Sequence, residues 1–206
     1  MIFTDEAVVV RREDWRERDK RITFFTRDHG VVCGVAVGAQ KMTSKLSGHL
    51  EPLRLVEVML ARGKNGFTVA QVETKKNFAF EAGAEVLTIL GLYARVGPKL
   101  VEPEISDPVL FGLLVSACES ACLGGGAHNE AGQFLYMMAR HVGVAPVFDV
   151  CVVCGQKKDF TWFSAELGGV VCSACPRPVG AVVYDAGQEE QLFGVMMGFL
   201  KWRHLC

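Results

Sequence analysis

The sequence predicts an α+β chain: an N-terminal five-stranded barrel followed by an α-helical domain that carries a four-cysteine metal knuckle. Three observations predict it. Over residues 6–75, short runs rich in Val, Phe and Thr alternate with charged or Gly-containing turns, and no helical period is sustained. Beyond about residue 77 the apolar spacing becomes helical. Within that second part, Cys151-Val-Val-Cys154-Gly155 and Cys172-Ser-Ala-Cys175 are separated by 17 residues, 155–171.

The strands are read in order as residues 7–12, 20–26, 31–38, 53–62 and 67–74. Arg27-Asp28-His29-Gly30 joins the second to the third. Gly63-Lys64-Asn65-Gly66 joins the fourth to the fifth, with Asn-Gly tolerating the positive φ of a tight hairpin. Five short strands with a longer connection after the third suit a small closed barrel of the oligonucleotide-binding kind. A five-stranded open sheet fits the same pattern.

Helices follow. A weakly marked one is expected over residues 82–96. The next is better marked: Asp107 caps it, Pro108 occupies its first turn, and Leu110, Leu113, Leu114, Ala117 and Ala121 recur at helical spacing. Gly124-Gly125-Gly126 is read as its end, and Asn129 as the cap of another helix whose Ala131, Leu135, Met138 and Val142 form one stripe. Gly143 and Pro146 stop that helix. A last one starts at about residue 188, with Leu192, Val195, Met196 and Phe199 facing inward. The expected division is a barrel over residues 1–80 and a helical domain over 81–206, with the metal segment at about 148–178.

Each Cys-x-x-Cys brings two sulfurs to one tetrahedral ion, and four thiolates leave no open position for water, so the expected cofactor is one structural zinc ion on Cys151, Cys154, Cys172 and Cys175. Gly155 allows the backbone to curl behind the second sulfur. Phe160, Trp162 and Phe163 are expected to give the knuckle a miniature core, and Leu167-Gly168-Gly169-Val170-Val171 reads as a turn into a strand. The competing reading, four buried or redox cysteines without a metal, lacks the single pair at a helix start that redox chemistry uses. Cys33, Cys118 and Cys122 are read as small apolar fillers.

The 206-residue chain is 50% hydrophobic, ample for a packed core, and its formal charge is -1. The charge is unevenly spread. Residues 1–80 hold 14 Lys and Arg against 10 Asp and Glu, whereas residues 81–206 hold 8 against 13, which places a basic surface in the N-terminal part. Acids precede the first apolar run, unlike a signal peptide, and the longest apolar run is far short of a membrane span, so a reducing cytoplasm is expected. The five histidines are scattered, and neither a nucleophile elbow nor a Gly-x-x-x-x-Gly-Lys loop occurs, so the chain is read as non-enzymatic.

Arg11, Arg12, Arg16, Arg18, Lys20, Arg21 and Arg27, then Lys41, Lys45 and Arg54, interleave with Trp15, Phe24 and Phe25. Cations that track phosphates beside an aromatic that stacks on bases are how small barrels hold single strands. The candidate DNA contacts are Arg11, Arg16, Arg21, Lys41, Lys45 and Arg54. Glu13, Asp14, Glu17 and Asp19 dilute the first cluster, whereas residues 40–48 hold no acid and are read as a flexible loop. Phe24 and Phe25 point to opposite faces of a regular strand, so one at most is a stacking platform and the other is core.

These parts carry a resemblance. Residues 7–20 (AVVVRREDWRERDK), 23–30 (TFFTRDHG), 37–41 (VGAQK) and 44–46 (SKL), with Phe148-Asp-Val-Cys-Val-Val-Cys-Gly155 and residues 163–172 (FSAELGGVVC), closely resemble the bacterial RecO family of DNA repair and recombination mediators. The resemblance implies an oligonucleotide-binding (OB) barrel followed by a helical domain with a zinc knuckle. It implies binding of single- and double-stranded DNA, annealing of complementary strands, and cooperation with RecR and single-strand-binding (SSB) protein to load RecA, in the bacterial cytoplasm at the nucleoid. Two features depart from the family: residues 40–45 are poorer in Arg and Lys than is usual, and the basic tail of many members does not follow Arg203-His204-Leu205-Cys206. A peptide-binding adaptor and an RNA-binding factor of the translation machinery fit the same barrel.

Overall fold

Period-two runs broken by tight turns pair with one another before any helix intervenes, and the computed structural model places each pairing. It describes residues 1–41, 43–64, 66–123, 127–185 and 191–203, without the side chains of 85 and 127–129. Two compact units result, Met1–Gly124 and Gly125–Cys206.

In the first unit, β1 (Ile2–Trp15), β2 (Asp19–Thr26), β3 (Gly30–Ala36), β4 (Arg54–Gly63) and β5 (Gly66–Asn77) form a closed barrel in the order β1-β2-β3-β5-β4, which rules out the open sheet. Closure depends on β1, which is 14 residues long because it serves two partners. Its start, Ile2 to Val8, pairs antiparallel with β4, and its end, Ala7 to Trp15, pairs antiparallel with β2. A bulge between Val9 and Arg11 bends the strand where the partners change over. The circle closes where β3 and β5 run parallel through Gly34↔Phe67 and Val35↔Thr68.

The interior is filled by Ala7, Val9, Ile22, Phe24, Val32, Val56, Val58, Leu60, Phe67 and Val69, with Leu50 among them. Full burial of such a side chain contributes about 1.5–3 kcal/mol. Space is tight at β3. A Cβ on Gly34 would stand 3.2 Å from Leu60 Cδ2 and 3.3 Å from Val69 Cγ2. Consequently Gly30, Val32, Gly34 and Ala36 face inward, and the more apolar set Val31, Cys33 and Val35 faces out. Cys33 is exposed, not an apolar filler. Phe24 and Phe25 are both fully buried, so neither offers a ring to a base. Phe24 lies in the barrel, and Phe25, on its outside, meets Phe111 edge-on at 5.8 Å.

Three helices complete this unit: α1 (Phe78–Glu81), α2 (Ala84–Val96) and α3 (Pro108–Leu123). Asn77 caps α1, its side chain accepting from Phe80 N, and Asp107 caps α3, its Oδ1 accepting from Leu110 N at 2.9 Å. The inward stripe of α3 is Leu110, Phe111, Leu114, Cys118 and Ala121. Leu113 and Ala117 are only partly buried, because Phe111 turns the helix toward Phe25. Cys118 is buried as expected, and Cys122 is half-buried, 3.7 Å from the Phe78 carbonyl oxygen. Between α2 and α3 the chain returns to the barrel, where Glu104 N donates to Val31 O at 3.1 Å.

The second unit holds α4 (Ala127–His141), a sheet of β6 (Phe160–Ser164), β7 (Gly169–Cys172) and β8 (Val182–Val183) in the order β7-β6-β8, and α5 (Gln191–Trp202). Helices α4 and α5 pack closely: a Cβ on Gly132 would come within 2.7 Å of Phe193 N. Since α4 begins at Ala127, Asn129 lies inside the helix and is not its cap. The expected Gly124-Gly125-Gly126 stop, Asn65 of the hairpin and the start of the last helix near 188 lie outside the described residues. Phe163 departs from the expected miniature core. Alternation along β6 sends it to the face opposite Trp162, where it stacks on Phe148 with ring centroids 5.6 Å apart.

Candidate metal centre and nucleic-acid interface

Two turns and one strand end bring four sulfurs together. Cys151 and Cys154 sit on a turn closed by Gly155 N donating to Cys151 O at 2.8 Å and Cys151 N donating to Gln156 O at 2.7 Å. Gly155 has φ +74°, the tight curl expected there. Cys172 ends β7, and Cys175 N donates to Cys172 O at 3.2 Å in the turn that follows. All four Sγ atoms lie within 4.8 Å of one another.

The fit to an ion is a matter of edge lengths. A tetrahedral ion bound by thiolates at about 2.3 Å requires sulfurs about 3.8 Å apart. The Cys151–Cys175 and Cys154–Cys172 separations are 3.9 and 3.6 Å. These two separations match those of a tetrahedral four-thiolate metal site, and the cluster of four sulfurs is compatible with one metal ion. Below them Val171, Val152, Phe160 and Trp162 supply a small apolar floor.

The thiols do not ionise alike. Burial opposes a charge on Cys151, but the backbone amides of Cys172, Cys154 and Val153 outweigh it and hold the thiol down to about 6. Cys175, hemmed in by the thiols of Cys154, Cys172 and Cys151, is pushed up to about 12. Cys151 thus carries a thiolate at neutral pH, and a bound cation would displace the proton that Cys175 keeps.

On the barrel, the six cations singled out from the sequence fall into two groups. The first lies about the outer face of β1 to β3. Arg11 and Glu13 form a 2.7 Å ion pair at the surface. Arg21, opposite Glu13 in the register, sets its guanidinium 5.4 Å from the ring centroid of Trp15, whose surface is 38% exposed. Arg16 occupies the β1–β2 turn with φ +57°. Lys41 is drawn to the same end, since Gln40 N donates to Arg18 O at 3.0 Å and Gln40 Nε2 donates to Asp19 O at 2.9 Å. Trp15, Arg21, Val31, Cys33, Val35, Phe67 and Glu104 line a groove of about 430 Å³ there. Arg62, paired with Glu104 at 2.9 Å, stands over Phe67 at its far end.

Lys45 and Arg54 belong elsewhere. Lys45 lines a second cavity of about 480 Å³ with His49, Glu57, Met59 and Glu73. Arg54 is half-buried beside Thr74, whose Oγ1 lies 2.9 Å from His49 Nδ1, and the Arg54 Nε is buried without a hydrogen-bond partner among the described residues. The sequence predicts a flexible loop over residues 40–48; in the structure Gln40 is pinned to the β1–β2 turn, and Ser47–His49 form one 3-10 turn. Glu104 was not singled out from the sequence, and Cys33, expected as an apolar filler, reaches the groove because the small residues of β3 face inward.

No helix among the described residues is long and apolar enough to cross a membrane. Residues 1–78 match the family model described as Recombination protein O N terminal, and residues 85–192 match Recombination protein O C terminal. A protein of Nocardioides sp. (strain ATCC BAA-499 / JS614) named DNA repair protein RecO is 32% identical over 204 residues, covering 96% of this chain and 83% of its own. One of the same name from Dehalococcoides mccartyi (strain ATCC BAA-2100 / JCM 16839 / KCTC 5957 / BAV1) is 33% identical over 176 residues, covering 84% and 70%. Another, from Thermobifida fusca (strain YX), is 30% identical over 190 residues, covering 88% and 76%.

Proposed function

Because the chain belongs to the RecO family of DNA repair proteins, we propose that it is a non-enzymatic mediator that binds single- and double-stranded DNA and anneals complementary strands. With RecR it helps load RecA onto strands coated by SSB protein, in the bacterial cytoplasm at the nucleoid. Residues 1–80 supply the DNA contact, and residues 81–206 are steadied by one structural zinc ion on Cys151, Cys154, Cys172 and Cys175. Zinc suits four soft thiolates in a closed tetrahedron.

The observation that carries this reading is Trp15. It is the half-exposed aromatic of the β1–β3 face, it lies beside Arg21, and it borders an amphipathic groove. That is the face on which such barrels take up oligonucleotides. A base stacks on the indole while Arg11, Arg16, Arg21 and Lys41 follow the phosphates; Lys45 and Arg54 extend the contact beyond this face. Neither Arg16, Arg21, Lys41 nor Lys45 is ion-paired with an acid among the described residues.

Affinity is then mostly electrostatic. Four phosphate contacts on a single strand predict a slope of about -3 in log K against log salt. Titration of a labelled single-stranded oligonucleotide at several salt concentrations measures it, and absence of binding at low salt rejects the reading. The double variant Lys41→Glu/Lys45→Glu is expected to anneal poorly. Undiminished annealing in that variant would favour a peptide adaptor, and preference for RNA over DNA of the same sequence would favour a translation factor.

A further inference from the structure

The knuckle presents cations that neither the metal nor the barrel uses. Between its two cysteine pairs the chain makes an exposed tip. Gly155 and Asp159 have φ +74° and +60° and bracket Gln156-Lys157-Lys158. Cys151 N donates to Gln156 O at 2.7 Å, and Ser173 N donates to Asp159 O at 2.8 Å, so both ends of the tip are tied to the cysteine turns. Lys157 and Lys158 are both exposed, and no ion pair joins either to an acid among the described residues.

Beyond the second cysteine pair, Arg177 lays its guanidinium 4.5 Å from the ring centroid of Trp162. Its Nη2 donates to Ala181 O at 2.9 Å, which fixes the stack while leaving the residue exposed. A planar cation held on a half-buried indole has its outer face free for a phosphate or a base. Over the metal segment, 148–178, the cations Lys157, Lys158 and Arg177 equal the acids Asp149, Asp159 and Glu166 in number, and the rest of 125–206 holds three cations against four acids. The case for this surface is therefore the placement of its cations on the exposed tip and on the Trp162 ring, not an excess of charge.

We propose that Lys157, Lys158 and Arg177 form a second nucleic-acid contact on the cysteine knuckle, separate from the barrel, which holds the backbone of the incoming complementary strand during annealing. The proposal rests on the reading that the barrel binds DNA. Its consequence is a division of labour. The barrel retains one strand, and the knuckle, through two or three phosphate contacts, collects the other.

The test uses the full chain and the variants Lys157→Glu/Lys158→Glu and Arg177→Gln. Bound zinc, affinity for one labelled single strand and the rate of annealing two complementary oligonucleotides are measured over a salt series. Expected for both variants are stoichiometric zinc, single-strand affinity within about threefold of the parent, and annealing slowed about tenfold with a flatter salt dependence. Parental annealing rates with zinc retained overturn the proposal. If the double variant loses zinc, the lysines serve to offset the charge of the thiolate centre, and Arg177→Gln decides: a parental rate in that variant overturns the proposal as well. If the unsubstituted chain binds no oligonucleotide at low salt, the failure lies in the barrel reading instead.

Discussion

Cys154 is the exposed corner of the sulfur tetrahedron, and its loss removes one of four ligands without opening a cavity in any core. Cys154→Ser is therefore expected to abolish stoichiometric zinc, as elemental analysis would show, and to lower the melting temperature of the metal-free segment while leaving oligonucleotide binding by the barrel measurable. Stoichiometric zinc with undiminished stability would count against the assignment. The thiols also set a pH dependence once the metal is chelated. Cys151 ionises at about 6 when folded against 9.0 ordinarily, so its stabilising effect is complete above 9 and is lost as pH falls through 6. Cys175, raised to about 12, acts oppositely and withdraws stability above 9. Chelated protein should be most resistant to unfolding near pH 9, and calorimetry across pH 5–10 checks it. The cysteine spacing was legible because it is local. Cys33, Phe24 and Phe25 were not, because strand alternation defines two faces without saying which is inside. The inward face of β3 is chosen by Leu60 and Val69 across the barrel, and the burial of Phe25 by Phe111, 86 positions later in the chain.

Among the elements, the β2–β3 turn is the one most closely determined. Asp5 Oδ2 accepts from Asp28 N at 3.0 Å and lies 2.7 Å from His29 Nδ1, whose ring stacks on Phe3. The turn ends in Gly30, with φ +65°, where a Cβ would stand 2.0 Å from the backbone oxygen of Ile105. Gly30→Ala therefore meets both a disfavoured backbone and an obstruction that cannot rotate away, at a cost of about 2–4 kcal/mol. Gly38, with φ +69°, faces only the flexible Lys41 side chain at 3.8 Å, so Gly38→Ala should cost about 1 kcal/mol. Denaturant titration of the two variants gives the comparison, and equal losses would contradict it. The positions of the five strands and most helix stripes were legible from periodicity, whereas the order in which the strands pair was not, because period two marks faces and not neighbours. Helix starts were less so: Asn129 looks like a cap, yet α4 has already begun at Ala127.

At the scale of the whole molecule the two units have different sources of order. Unit Met1–Gly124 is held by a closed hydrogen-bonded circuit around an apolar interior, and unit Gly125–Cys206 by helix packing and the sulfur centre. Chelation should therefore act on the second unit first. Limited proteolysis after removal of metal is expected to cut within residues 148–178 before it cuts the barrel, and the opposite order would reject this division. The shared strand β1 has a further consequence, in time. Its first residues wait for β4, Ile2 for Ala61 and Val8 for Leu55, and the circuit closes only when β5 reaches β3. A ribosome adding about 5–20 residues per second thus keeps Ile2 and Phe3 without their β4 partners for several seconds, so a strand made before all the others of the barrel is among the last to be secured.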